Sequence, residues 1–224
     1  MKNNIILLLV CLMSCSAAKS TKALTTKHET QSEIRNSLLK LSDTIIDTVP
    51  LPYHTILDYP TSFESGAIIS RTIDGLGYRY YWATKDLRPE DLDYTISSDS
   101  RPAKETLDHL YGLTMLIKNA STNSPNIRPQ PENEMTWDEQ RSATLMAIKS
   151  ASDAFRKMDK NQVSEMNIIF QRGENKSEYP IWNLLNGPLA DAIYHVGQIV
   201  AYRRASGNPL DPTVNVFMGK NREK

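Results

Sequence analysis

The chain has 224 residues, with 26 Lys plus Arg balancing 26 Asp plus Glu, and 40% of it is apolar. That length suits one domain with a short extra element. The absence of net charge argues against nucleic acid as a partner, which needs a basic patch or stripe.

At the N-terminus, Lys2 and the apolar run Ile5 to Met13 have the layout of a secretory signal, too short to span a bilayer. Leu12-Met13-Ser14-Cys15 follows and resembles the lipobox of bacterial lipoproteins, in which cleavage leaves the cysteine as the acylated first residue. Residues 1–15 are therefore expected to be a lipoprotein signal peptide. The exported protein would be anchored through Cys15 to a membrane of a bacterial cell envelope. An ordinary secretory signal with two incidental cysteines is the alternative. Cleavage would remove Cys11 and acylate Cys15, leaving no thiol for a disulfide or a nucleophile.

Residues 16–58 read as a tether followed by a helix. Ser16 to about Thr30 is rich in Ser, Thr and Lys, a composition that does not form a core. From Ser32 to Val49, Ile34, Leu38, Leu41, Ile45 and Ile46 recur at helical steps until Pro50 and Pro52 stop the pattern. Residues 59–212 carry the main pattern, and 213–224 are a C-terminal tail.

Within the main part, Ile68, Ile69, Ile73, Leu76, Tyr80 and Trp82 predict a helix from about Ser62 to Lys85. A second helix is expected from Pro102 to Asn119, with its buried stripe at Leu107, Leu110, Leu113, Met115 and Leu116. Ala120 to Glu134 is loop. Thr136 with Glu139 forms a capping box that opens the third helix, continued by Leu145, Ile148, Ala151, Phe155 and Met158. Met166 to Phe170 reads as an isolated strand or an extended link. The last helix runs up to Gly207, with a kink or break expected at Pro188. Four substantial helices and one N-terminal helix make an all-α four-helix bundle the economical architecture.

Asp191 and His195 stand four apart on that last helix, on one face and about 6 Å apart along the axis. A carboxylate and an imidazole so placed can point at one metal ion. His109, on the second helix, is the third candidate ligand. Gln198 lies near the same face and could bond a ligand or a bound group. A local Asp–His pair without any metal is the competing reading. Tyr194 and Tyr202 could line a pocket or fill core, and Arg203 and Arg204 could bind an anion or simply complement the helix dipole.

These residues carry a family resemblance. Asp-Ala-Ile-Tyr-His-Val-Gly-Gln-Ile at 191–199, Tyr202-Arg203-Arg204, Gly207-Asn208-Pro209 and Leu107-Asp108-His109-Leu110 resemble the DinB-like superfamily over roughly Tyr59 to Pro209. The resemblance implies a DinB-like four-helix bundle, here with an extra N-terminal helix. It also implies a divalent metal held by one histidine of the second helix and two of the last.

His109 and His195 match two of those positions, while Asp191 stands where the family most often has histidine. The implied set is thus His109, Asp191 and His195 in the bundle interior, with Gln198 supporting it. A carboxylate shifts preference from zinc or nickel toward iron(II) or manganese, so the metal's identity stays open. The function implied is an envelope-anchored protein using that metal for hydrolysis or group transfer on a small-molecule substrate. The alternative is a non-catalytic ligand- or protein-binding lipoprotein with a degenerate site. Members of the superfamily often dimerise, so a homodimer is among the partners the resemblance implies. A first test addresses the anchor: Cys15→Ala should move the protein from the membrane to the soluble fraction, and continued membrane retention would contradict lipidation.

Overall fold

Helix α1, Ser65–Thr84, begins without a side-chain cap at Glu64, so its position depends on packing. Two glycines let it approach its neighbours. A Cβ on Gly66 would stand 2.1 Å from the carbonyl oxygen of Phe155, and one on Gly77 would enter the ring of Tyr53. The computed structural model describes residues 50–223, and the part beyond Pro50 is one compact unit. The expected signal peptide, Cys15, the tether and the helix Ser32 to Val49 lie outside the described residues.

After α1 come α2 (Pro89–Leu92), α3 (Ala103–Ala120), β1 (Pro125–Ile127), α4 (Trp137–Phe155) and α5 (Lys160–Ser164). The hairpin β2 (Asn167–Arg172) and β3 (Asn175–Pro180) follows, then α6 (Trp182–Leu184), a π-helical segment Leu185–Leu189, and α7 (Ala190–Ala205). The start of α4 is set as its capping box requires. The Glu139 N–H donates to Thr136 Oγ1 at 3.4 Å, and the Thr136 N–H donates to Glu139 Oε2 at 2.8 Å.

The long helix α1 packs on α4, α4 on α3, α3 on α7, and α7 back on α1. Ile73, Leu76, Leu107, Leu110, Leu145, Ile148, Val196 and Ile199, all nearly inaccessible, fill the space between them. Each contributes roughly 1.5–3 kcal/mol by leaving water.

The architecture is predominantly helical but not purely so. β2 lies between β1, to which it is parallel, and β3, to which it is antiparallel with Phe170 opposite Ser177. The single strand expected at Met166 to Phe170 is thus the centre of a three-stranded sheet. Its partner β3 is exposed along its whole length, so it carries no apolar alternation that could mark it as a strand. Gly173 opens the hairpin turn at φ +58°, a conformation glycine adopts freely.

The dense aromatic run in α1 also differs from a one-sided helix. Tyr78, Tyr80 and Trp82 are all buried, although residues two apart lie on different faces. The extra cover comes from the segments around residues 54 and 221. Tyr78 Oη donates to Asn221 Oδ1 at 2.8 Å, and Trp82 Nε1 donates to the His54 carbonyl at 3.1 Å.

Two buried polar knots fasten these elements. In the first, Asp74 of α1 pairs with Arg156 and accepts from Ser152 Oγ at 2.5 Å and Tyr53 Oη at 3.1 Å. Burial, helped by the Asp74 charge, pushes the Tyr53 phenol well above its ordinary range.

The second ties α7 to the end of α1. Arg203 is 4% exposed, and its guanidinium donates to the carbonyls of Trp82, Ala83 and Lys85 at 2.8–3.1 Å. These are carbonyls at the C-terminal end of α1, where unsatisfied acceptors and the helix dipole both favour a cation. Its remaining donors reach the backbone and side-chain oxygens of Asn208. Asn208 Nδ2 donates to Asp91 at 2.6 Å, and Ser206 Oγ and Arg88 also donate to that carboxylate. The Arg203-Arg204 pair therefore divides: Arg203 is consumed by architecture, and Arg204 remains exposed.

Arg88, followed by Ser206 and Asn208, holds the Asp91 carboxyl well below the usual carboxylate range, against the cost of burial. A depressed folded value means that the stabilisation is fully present above the ordinary value, about pH 4, and is lost as pH falls toward the folded one. Urea unfolding should therefore show Asp91→Asn less stable than the parent at pH 7, with the gap narrowing steadily below about pH 4. Arg203→Ala should cost about 3 kcal/mol in the same assay, because it orphans three carbonyls and Asn208.

Candidate metal site

The approach of α7 to α3 is prepared by the break before it. Gly187 has φ −96° and ψ −109°, outside the helical region, and Pro188 follows inside the π-helical segment. Proline removes one backbone donor and clashes with the preceding turn, so the chain changes direction here as the sequence implies. The segment packs against α3, and Asp191 emerges in the first turn of α7, where its charge is favoured by the dipole.

Asp191 faces two histidines. His109 Nε2 of α3 lies 3.3 Å from Asp191 Oδ2, and His195 Nε2 lies 3.2 Å from Oδ1. One donor atom from each of the three side chains falls within 4.8 Å of the others. The imidazoles meet edge to face, with ring centroids 4.8 Å apart. All three sequence candidates are thus brought together. Asp191 does not pair with Arg79, which bonds the Gly75 carbonyl instead.

Gln198 is placed to orient the site. Its Oε1 lies 2.7 Å from His195 Nδ1, a contact that the Nδ1–H tautomer of the ring would satisfy. In a neutral ring Nε2 then presents a lone pair to a carboxylate oxygen.

The two Nε2–carboxylate distances are those of direct polar contacts, and each nitrogen approaches a different oxygen of Asp191. Two imidazoles and a carboxylate form a donor set that suits zinc, iron(II) or manganese.

The setting differs from the expected interior one. The side chains of His109 and Asp191 are 41% and 42% exposed, and that of His195 is 18% exposed. His109 flanks the buried stripe of α3, formed by Thr106, Leu107, Leu110 and Leu113, without belonging to it. The cluster lies at the solvent-facing seam between α3 and α7, open to a ligand from outside. Tyr194 stands beside it, 64% exposed, with its ring 5.4 Å from that of His195. Tyr202 is core instead, packed against Tyr94. His54 lies against Tyr81 and Trp82, away from the cluster in sequence and contacts. His28 is outside the described residues.

Comparison of the chain with protein-family models, with curated proteins and with solved structures finds no match. The cluster is exposed, and exposed charge pairs are worth about 1 kcal/mol or less. Asp191→Ala and His109→Ala should each leave the unfolding free energy from urea titration in chelator within about 1 kcal/mol of the parent. A loss of 3 kcal/mol or more would mean that the cluster is a fastening of the fold instead.

Proposed function

We propose that the protein binds one divalent metal ion through His109, Asp191 and His195, as a DinB-like four-helix-bundle protein carrying a His₂Asp variant of that family's site. The observation that carries this reading is the convergence of two imidazole Nε2 atoms on the two oxygens of one carboxylate, with one ligand atom of each residue within 4.8 Å of the others. The resemblance at 107–110 and 191–209 supports the family, and the closed ring of α1, α4, α3 and α7 is compatible with its bundle. When bound, the ion would supply Lewis acidity toward an oxygen or sulfur atom of a substrate.

The chain's own residues have separable tasks in this reading. Asp191 neutralises part of the ion's charge and moves the preference toward harder metals than a three-histidine set would favour. Gln198 fixes the His195 ring by accepting from Nδ1, which keeps Nε2 free as a donor atom. The exposed seam admits a small molecule, and Tyr194 would form one side of its approach. The reaction class that fits is hydrolysis or group transfer on a small-molecule substrate. The lipobox-like sequence ending at Cys15 supports placement on a membrane of the cell envelope. Among the described residues no helix is long and apolar enough to cross a membrane.

Elemental analysis of protein purified without added metal is the test. About one equivalent of a transition metal is expected in the parent, and none in His109→Ala or His195→Ala. Gln198→Ala should retain the metal with roughly 10–100-fold weaker affinity. Metal at a hundred times its dissociation constant should stabilise the parent by about 2.7 kcal/mol, read as a rise in Tm. A metal-free parent whose Tm is unmoved by zinc, iron(II), manganese or nickel would contradict the reading.

A further inference from the structure

β3 is an open edge of the sheet. Every residue from Asn175 to Pro180 is exposed, and among the described residues β2 is its only strand neighbour. The register shows which of its backbone groups are left over. In β2 the Gln171 carbonyl accepts from the Arg128 N–H at 2.8 Å, and the Ile169 carbonyl accepts from Asn126 Nδ2 at 2.9 Å, both on the β1 side. Residues directly opposite in an antiparallel pair either exchange both backbone bonds or turn both sets of groups away. Gln171 stands opposite Lys176 and Ile169 opposite Glu178. The N–H and C=O groups of Lys176 and Glu178 therefore point outward, and among the described residues nothing bonds them.

Such an edge is a template for another strand, and charge, lysine above all, commonly blunts it. Here the charges are of both signs. Lys176 and Glu178 pair within the strand at 2.6 Å, with side chains still 50% and 46% exposed. Their order is complementary to itself in one arrangement. In a two-fold antiparallel pairing centred on Ser177, residue 176 of each copy meets residue 178 of the other, lysine opposite glutamate both times. Both pairs can then exchange their outward backbone groups, and the small Ser177 side chains meet at the closely spaced central pair. Parallel pairing in register, or an axis moved to Lys176 or Glu178, sets like charges opposite each other, which is destabilising.

A strand pair of this length alone falls short of the roughly 1,000 Å² that a specific interface buries. Pro180, at the end of β3, begins an apolar groove of about 300 Å³ whose lining includes Ile68, Ile181, Trp182 and Leu185. Trp182 is 71% exposed. In the same register Pro180 lies opposite the partner's Glu174, so the partner's hairpin turn arrives at the groove and adds apolar contact. We propose that β3 is the interface of a two-fold dimer of this chain, formed by antiparallel pairing about Ser177 with Lys176 opposite the partner's Glu178. The interface shares no residue with the histidine cluster, so each can exist without the other.

Sedimentation equilibrium of the purified protein over a concentration series tests the proposal. The parent should show a reversible monomer–dimer equilibrium. Lys176→Glu and Glu178→Lys should each weaken it at least about tenfold, because every cross-strand charge contact is then between like charges. An equal mixture of those two variants should form a heterodimer as tightly as the parent dimerises, since each contact again sets lysine against glutamate. Trp182→Ala should weaken the dimer about tenfold. His195→Ala should dimerise as the parent does, which separates failure of this interface from failure of the metal site. A parent that stays monomeric would overturn the proposal, whatever other strand the edge accepts. So would single variants that associate as the parent does, or a mixture that stays monomeric.

Discussion

The burial of one positive charge at the end of α1 is the constraint on which the rest of the arrangement depends. Arg203 has left water almost completely, and a buried guanidinium is tolerable only when its donors are satisfied. The carbonyls of Trp82, Ala83 and Lys85 and the two oxygens of Asn208 meet that demand. The same contacts set where α7 ends against α1, and Asp91 extends the knot into the connection that leads to α3. At its other end α7 is directed by the Gly187–Pro188 break against α3. A helix held at both ends can present two different faces with fixed geometry. One face carries Asp191 and His195 toward His109, and the other, with Val196 and Ile199, packs into the core.

This division sorts the residues that look functional by type. The Arg203-Arg204 and Gly207-Asn208-Pro209 text supplies structural fastening through Arg203 and Asn208. The chemistry-bearing residues are fewer and more exposed. Their exchangeability without loss of the fold follows from that exposure, since solvent screens their mutual interactions. The exposed seam also alters the setting for chemistry: an ion there would sit in a higher dielectric than in a bundle interior and remain accessible to large as well as small ligands.

What was legible in the amino-acid sequence was mostly local. Thr136 and Glu139 define the start of α4 through contacts three residues apart, and Pro188 marks the break before α7 by its own covalent geometry. Asp191, His195 and Gln198 share a face because helical spacing dictates it. Other features depend on partners distant in the chain. β3 is polar on both faces and acquires strand structure only by pairing with β2. Tyr78, Tyr80 and Trp82 are buried together because residues near 54 and 221 cover α1. His109 was placed with Asp191 by family resemblance, not by periodicity. Its exposure is not legible locally, because it neighbours Leu107 and Leu110 in sequence while flanking their face in space.

In the proposed metal site a divalent ion would lie between His109, Asp191 and His195. Anomalous diffraction from crystals soaked in manganese or zinc, collected at the metal's absorption edge, measures this directly. The account predicts one anomalous peak about 2.0–2.2 Å from Nε2 of both histidines and from an Asp191 oxygen. It would be contradicted by the absence of a peak there, with both imidazoles closed to direct hydrogen bonds of about 2.8 Å on the carboxylate.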